Sequence, residues 1–259
     1  MPANLVSLKN VSKSYETLTG ETIDAIKDVS FDLHKGEVLG LLGPSGCGKS
    51  TILKMISGVE TPSTGTIDRG ADGGAGFVVG FIFQDSSLMR WRSVYDNIKL
   101  PLEVLGKTNV ERIAELIKTV NLTGFERAYP IELSGGMQRR VAIARALVHE
   151  PSVLLMDEPF TGVDEITKEI LQTELNFVIR KLNVTAVLVT HDIEEAVFLA
   201  DRVLVISDRP GTIIQEVKVP LPEIREPVLR SEKRYLDCCV TIRERLNLLH
   251  PLRRESSAE

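Results

Sequence analysis

Val38-Leu39-Gly40-Leu41-Leu42-Gly43-Pro44-Ser45-Gly46-Cys47-Gly48-Lys49-Ser50-Thr51-Ile52-Leu53-Lys54-Met55-Ile56 decides the fold. Val38 to Leu42 is an apolar run without polar alternation, as in a strand buried on both faces. Ser50 to Ile56 is helical in pattern and is stopped by Gly58. Between them, Gly43 to Ser50 fits G-x-x-x-x-G-K-[ST] at every position. The glycines let backbone N–H groups converge on phosphate oxygens, where a Cβ would intrude. The helix opening near Lys49 aims its positive dipole end at the same point. Lys49 adds a mobile point charge for β- and γ-phosphates, and the Ser50 hydroxyl suits Mg²⁺. The strand before and the helix after separate this motif from a chance glycine-rich turn. Gly43, Pro44, Ser45, Gly46, Cys47, Gly48, Lys49, Ser50 and Thr51 are therefore the first candidate nucleotide-binding residues. Cys47 fills a variable position and carries no catalytic role in this reading.

Upstream, Val6 to Val11 and Val29 to Leu33 alternate apolar and polar residues, as half-buried strands do. Downstream, Ser152 to Met156 and Thr185 to Val189 are again fully apolar strands, with a helix over about Ile166 to Lys181 between them. Strand, helix, strand is the pattern of a parallel sheet. Arg202 to Ile206 adds another strand, followed by the turn Asp208-Arg209-Pro210-Gly211. The middle differs. Val110, Ile113, Leu116, Ile117 and Val120 form a helical stripe, and Val141 to Val148 is a helix of small and apolar residues closed by Pro151. The expectation is an α/β protein with a mixed β body over residues 1–220. A helical subdomain over approximately 90–150 is inserted in it, and an extension over 221–259 follows. Gly70 to Gly76 is expected to be a mobile loop and Glu255 to Glu259 to fray.

Val153-Leu154-Leu155-Met156-Asp157-Glu158 ends a buried strand with two adjacent acids. At the carboxyl end of such a strand they face the ligand crevice of an open α/β sheet. Alternation sends the two side chains different ways, so they can do different jobs. Asp157 suits holding Mg²⁺, directly or through water, and Glu158 suits polarising an attacking water. Lys49 and Mg²⁺ would offset the cost of two carboxylates there.

Leu133-Ser134-Gly135-Gly136-Met137-Gln138 supplies a second anion site. Ser134 is a helix N-cap type, and Gly135 and Gly136 expose backbone N–H groups at the helix start. Two phosphate-binding helix ends in one chain suggest a nucleotide clamped between two copies. With this element lying between the glycine loop and the Met-Asp-Glu strand, the sequence resembles the ABC ATPases from about Leu5 to Gly211. The resemblance implies the P-loop NTPase ABC-ATPase fold, with ATP and Mg²⁺ as ligands and ATP hydrolysis as the activity. It also implies roles for further residues. Tyr15 matches an aromatic that stacks on adenine. Gln84, in Phe81-Ile82-Phe83-Gln84-Asp85, matches a glutamine that contacts Mg²⁺ and the attacking water and joins the lobes. Asp164, in Thr161-Gly162-Val163-Asp164, matches a loop that crosses to the other protomer. His191, in Val189-Thr190-His191-Asp192, matches a histidine on the γ-phosphate. Thr161-Gly162-Val163 departs from the commoner S-A-L wording before that aspartate.

Leu88-Met89-Arg90-Trp91-Arg92-Ser93-Val94 and Ser207-Asp208-Arg209-Pro210-Gly211 look like importer ATPases serving nitrate, sulfonate, taurine and bicarbonate, with Arg90 replacing a proline. That resemblance implies transmembrane permease subunits as partners, and through them a periplasmic or extracellular substrate-binding protein. It places the chain peripherally on the cytoplasmic face of the cell membrane, as a homodimer or a heterodimer with a related ATPase. Leu88, Met89 and Trp91 are expected to help form a groove for a short permease helix; the alternative for Trp91 is ordinary packing. The rival function is a soluble ABC ATPase acting on a non-transport macromolecular complex. Ser134 follows Ser50 by only 84 positions (134 − 50), which leaves no room for the long coiled coil of DNA-repair relatives.

The bulk properties agree. The chain has 259 residues, 43% hydrophobic and 26% charged, enough for one sizeable core. A net charge of −5 argues against a nucleic-acid partner. Three cysteines, two of them adjacent, make no disulfide framework and fit a reducing compartment. Met1 to Asn10 lacks the apolar core of a signal peptide. No stretch approaches the roughly 20 apolar residues that span a bilayer, so work at a membrane is expected to go through a partner.

Overall fold

Alternation along the first 34 residues builds a hairpin: β1 (Asn4–Glu16) pairs antiparallel with β2 (Thr22–His34). The computed structural model describes residues 4–70 and 76–249. The mobile loop expected at Gly70 to Gly76 lies, apart from its ends, outside the described residues, as does the frayed end expected at Glu255 to Glu259. The chain continues through β3 (Val38–Leu42), α1 (Lys49–Ser57), β4 (Thr64–Asp68) and β5 (Val79–Ile82). Three helices follow, α2 (Val94–Val104), α3 (Val110–Thr119) and α4 (Gly135–Leu147). Then β6 (Val153–Asp157), α5 (Glu165–Lys181), β7 (Ala186–Thr190), α6 (Ile193–Leu199), β8 (Arg202–Ile206) and β9 (Ile213–Lys218) complete the body, and α7 (Lys233–Leu249) closes it.

Two sheets result. One is antiparallel, in the order β2-β1-β4; the other is β5-β6-β7-β3-β8-β9, parallel except for the antiparallel edge strand β9. The unbroken apolar runs are explained by burial on both faces. Leu39, Leu41, Val153, Leu155, Val187 and Val189 point to a core shared with α1 and the antiparallel sheet. Their neighbours Val38, Leu42, Leu154, Met156, Ala186 and Leu188 point to a second core shared with the helices. Burying each Leu, Ile or Val contributes about 1.5–3 kcal/mol.

Buried polar side chains fix what the apolar pattern leaves open. Asn97 of α2 is fully buried. Its Oδ1 accepts from Met89 N at 2.8 Å, and its Nδ2 donates to the carbonyls of Met89, Arg92 and Ser93. This pins the loop before α2 and leaves Trp91 at 75% exposure, so the packing alternative for Trp91 fails. On α4, Arg139 donates to the carbonyls of Phe83 and Gln84, and Arg145 to those of Ser86 and Ser87.

The segment after residue 220 is clamped to α6. The Arg225 side chain is fully buried and donates to Val197 O at 2.7 Å, Ala200 O at 2.8 Å and Pro222 O at 3.1 Å. It thereby satisfies carbonyls that the end of α6 leaves unpaired. Burial pulls its pKa down to about 10, with Asp201 opposing. Tyr235 of α7 donates to Glu194 O at 3.0 Å, and Cys238 and Cys239 are buried free thiols. Arg225→Ala removes all three bonds and strands two buried carbonyls. Denaturant unfolding is expected to show a loss of about 3 kcal/mol; a loss within experimental error would mean that the clamp contributes nothing.

Candidate active site

The phosphate loop joins β3 to α1 in the crevice at the carboxyl ends of the parallel strands, where such sheets bind ligands. Gly48 caps α1 with φ +102°, a left-handed conformation open to glycine. A Cβ there would lie 2.4 Å from Ile26 Cγ2 and 2.7 Å from Ala25 O, because the loop is pressed against β2. Cys47 is 1% exposed and belongs to the apolar core, where burial pushes its thiol pKa up. Its sulfur also accepts from Lys49 Nζ at 3.8 Å. Lys49 is 4% exposed, and its Nζ donates to Gly43 O and Pro44 O, both at 2.7 Å. The ammonium is thus stored inside the loop, one side-chain swing from a phosphate.

The acids meet the loop from β6. Ser50 Oγ donates to Asp157 Oδ1 at 3.0 Å. Burial raises the Asp157 pKa, the Ser50 bond opposes, and the Glu158 charge raises it further. Glu158 breaks the strand with φ +47°, rare for a residue with a side chain. Its N–H still reaches Val189 O at 2.9 Å. Its carboxylate lies with Oε1 3.2 Å from His191 Nδ1, while Oε2 accepts from Thr161 Oγ1 at 3.1 Å. Tyr15 lines a cavity with the phosphate loop and Glu158, half-buried, with its hydroxyl donating to Glu60 and 3.5 Å from Thr51 Oγ1. Lys13 Nζ lies 5.1 Å from the Tyr15 ring centroid. Ser45, Gly46, Gly48, Lys49, Ser50, Thr51, Glu158 and Arg209 line the same cavity.

A second cavity is lined by Gln84, Ser134, Gly135, Gly136 and Asp164, among others. Ser134 caps α4 by accepting from Met137 N at 3.3 Å. Asp164 caps α5 by accepting from Thr167 N at 3.0 Å, a bond that lowers its pKa. The linings of the two cavities share no residue. The structure therefore brings Tyr15, the phosphate loop and Glu158 together, with Asp157 and His191 bonded to that group. Ser134 to Gly136 and Asp164 stand elsewhere. Gln84, expected beside Ser50 and Asp157, lies on the second cavity, where Arg139 holds its carbonyl at 2.6 Å.

Sequence reading missed several supports. Asp192 caps α6, and its Oδ2 receives Lys168 Nζ at 2.9 Å, tying the His191 turn to α5. Burial pushes Asp192 up, but Lys168 holds it below the ordinary carboxylate value. A cap-type residue just before Ile193-Glu194-Glu195 was a legible signal. Glu195 left no such signal. It is 5% exposed on α6, and its Oε1 has no hydrogen-bond partner among the described residues. Burial, then the Asp192 charge, raises its pKa to about 8. The folded chain keeps a proton that the unfolded chain releases from pH 4.5 upward. The stability this gives is complete below that pH and is lost as pH rises through about 8. Glu195→Gln is expected to match the parent near pH 4 and to exceed it by roughly 3 kcal/mol near pH 8.5 in urea unfolding. Parallel pH profiles for the two proteins would contradict this.

Known proteins match the arrangement. Residues 26–161 match the family model described as ABC transporter. An aliphatic sulfonates import ATP-binding protein, SsuB of Bacillus cereus (strain ZK / E33L), is 41% identical, with 87% of this chain and 95% of that protein covered. The nitrate import ATP-binding protein NrtD of Synechocystis sp. is 44% identical, with 78% and 77% covered. Among solved structures, the dimeric post-hydrolysis state of the ATP-binding cassette MJ0796, bound to ADP and Pi, is 33% identical with a TM-score of 0.70. It covers 84% of this chain and 100% of that one.

Proposed function

The chain belongs to the ABC transporter family and is an ATPase coupled to transport, and from that premise we propose that it energises a binding-protein-dependent importer of a small anion resembling a sulfonate or nitrate. The observation that carries the mechanism is the separation of the two cavities. One offers the phosphate loop, Glu158 and a neighbouring histidine. The other offers the helix start at Ser134 to Gly136, without a phosphate loop or Glu158. A nucleotide bound between two copies in head-to-tail register uses both, Lys49 and Ser50 from one copy and Ser134 to Gly136 from the other.

In that sandwich Lys49 leaves the Gly43 and Pro44 carbonyls and turns to the β- and γ-phosphates. Glu158 accepts a proton from the attacking water, and His191, hydrogen-bonded to Glu158, steadies the γ-phosphate. Asp164 stands at the seam between copies. Tyr15 stacks on the adenine. The hydroxyl–carboxylate pair of Ser50 and Asp157 is a hard-oxygen set suited to Mg²⁺. Burial is the main cause of the raised Asp157 pKa, and a bound divalent cation would favour the charged carboxylate. Mg²⁺ would neutralise the phosphate oxygens there, with Gln84 joining when the two lobes close.

Among the described residues no helix is long and apolar enough to cross a membrane. We assign the membrane contact to a groove of about 490 Å³ lined by Phe81, Phe83, Met89, Pro101, Val104 and Leu105, which would receive a short helix of a permease. Met89 lines this groove, whereas Leu88 faces the neighbouring cavity with Arg90, and neither cavity includes Trp91. The same reading divides the chain into an ATPase domain over 1–220, with its helical lobe at about 90–150, and an extension over 221–259. It places the assembly on the cytoplasmic membrane face, with a substrate-binding protein beyond the permease. The test is affinity purification of tagged Glu158→Gln from detergent-solubilised membranes with ATP and Mg²⁺. Co-purification of a polytopic membrane protein is expected; recovery with ribosomal or DNA-repair components instead would refute the import role.

A further inference from the structure

We propose that Arg209 is a second phosphate-binding cation of the nucleotide cavity, a role that rests on the phosphate-loop reading above. Arg209 lines the cavity with Ser45, Gly46, Lys49 and Ser50. Among the lining residues Lys49 and Arg209 are the two cations. Lys49 is buried and engaged with backbone carbonyls. Arg209 is exposed, and among the described residues its guanidinium makes no hydrogen bond or ion pair. Glu158, the acid in the same lining, is already engaged by His191 and Thr161.

The turn that carries Arg209 is fixed against the phosphate loop. Gly211 N donates to Ala25 O and Lys27 N donates to Gly211 O, both at 3.0 Å, which staples the turn to β2. Ser207 N donates to Thr212 O, and Ser207 Oγ accepts from Thr212 N, both at 2.9 Å. A Cβ on Gly211 would lie 2.1 Å from Cys47 O, so the turn touches the loop itself. A rigid turn that presents an unpaired guanidinium to a cavity built for phosphate is a preorganised anion contact. A nucleoside triphosphate carries more negative charge than Lys49 can neutralise. The guanidinium meets the remainder with paired N–H donors at a phosphate oxygen.

The experiment is equilibrium binding of ATP, ADP and 2′-deoxy-ATP to the purified full chain and to Arg209→Ala, Arg209→Lys and Lys49→Ala. Arg209→Ala is expected to weaken all three nucleotides about tenfold, with the melting temperature of the nucleotide-free protein unchanged. Arg209→Lys is expected to recover part of that loss, because it restores the charge without the fork. Unchanged affinities in Arg209→Ala would overturn the proposal. So would a loss for ATP and ADP but not for 2′-deoxy-ATP, which would move the contact to the sugar. Undiminished binding by Lys49→Ala would instead overturn the underlying reading of the cavity.

Discussion

Glu158→Gln is expected to bind ATP as the parent protein does and to hydrolyse it at least about a hundredfold more slowly. The amide keeps the volume, the bond from Thr161 and the left-handed backbone at this position. What it loses is the ability to take a proton from water. The Glu158 carboxylate is bonded to Thr161 and lies 3.2 Å from His191, groups that aim it rather than replace it. No second base takes its place, because the adjacent Asp157 is committed to Ser50. ATP held without turnover is also expected to accumulate the variant as a dimer in size-exclusion chromatography. Turnover within a few-fold of the parent would remove Glu158 from the mechanism.

Lys49→Ala acts one step earlier. The side chain is 4% exposed and its ammonium donates to two carbonyl oxygens and to Cys47 Sγ, none of them a carboxylate, so the triphosphate is its natural counter-charge. Its removal is expected to weaken ATP binding by about a hundredfold, the equivalent of two charge-assisted hydrogen bonds. A thermal-shift assay reads this without turnover. ATP at about a hundred times its Kd should stabilise the parent by about 2.7 kcal/mol and the variant hardly at all. An equal shift in both proteins would mean that the nucleotide binds elsewhere.

The parts of this site that were legible in the sequence are those whose chemistry is local. A glycine loop between an apolar strand and a helix, a cap serine before two glycines and a carboxylate pair ending a strand each satisfy their constraints within a few residues. That is why α1 opens at Lys49, Ser134 caps α4 and Asp157 ends β6, the local structures their motifs implied. What sequence could not convey is tertiary. Arg139 and Arg145 lie within α4, Arg145 in its last turn, yet they hold the loop carrying Gln84, which lines the second cavity. Asn97 sets the exposure of Trp91 through four hydrogen bonds, none of which periodicity reports. Helix α2 was obscured by Pro101 within it, and β5 is only four residues long. The segment after residue 220 is fastened by a buried arginine, a residue type whose ordinary place is the surface, together with Tyr235, Cys238, Cys239 and Ile242 packed in the core.

The central claim is that each working site is shared by two copies of the chain, and complementation tests it most directly. Lys49→Ala spoils the phosphate loop. Gly135→Asp spoils the second anion site, and open space around Gly135 admits the new side chain without disturbing the fold. Each variant alone should be inactive, because every site in its dimer has one defective half. In a mixed dimer one site combines both defects, and the other pairs an intact phosphate loop with an intact second anion site at Ser134 to Gly136. Mixing equal amounts should therefore restore about a quarter of parental ATP hydrolysis, since half the dimers are mixed and each has one good site of two. A mixture as inactive as its components would contradict the shared site.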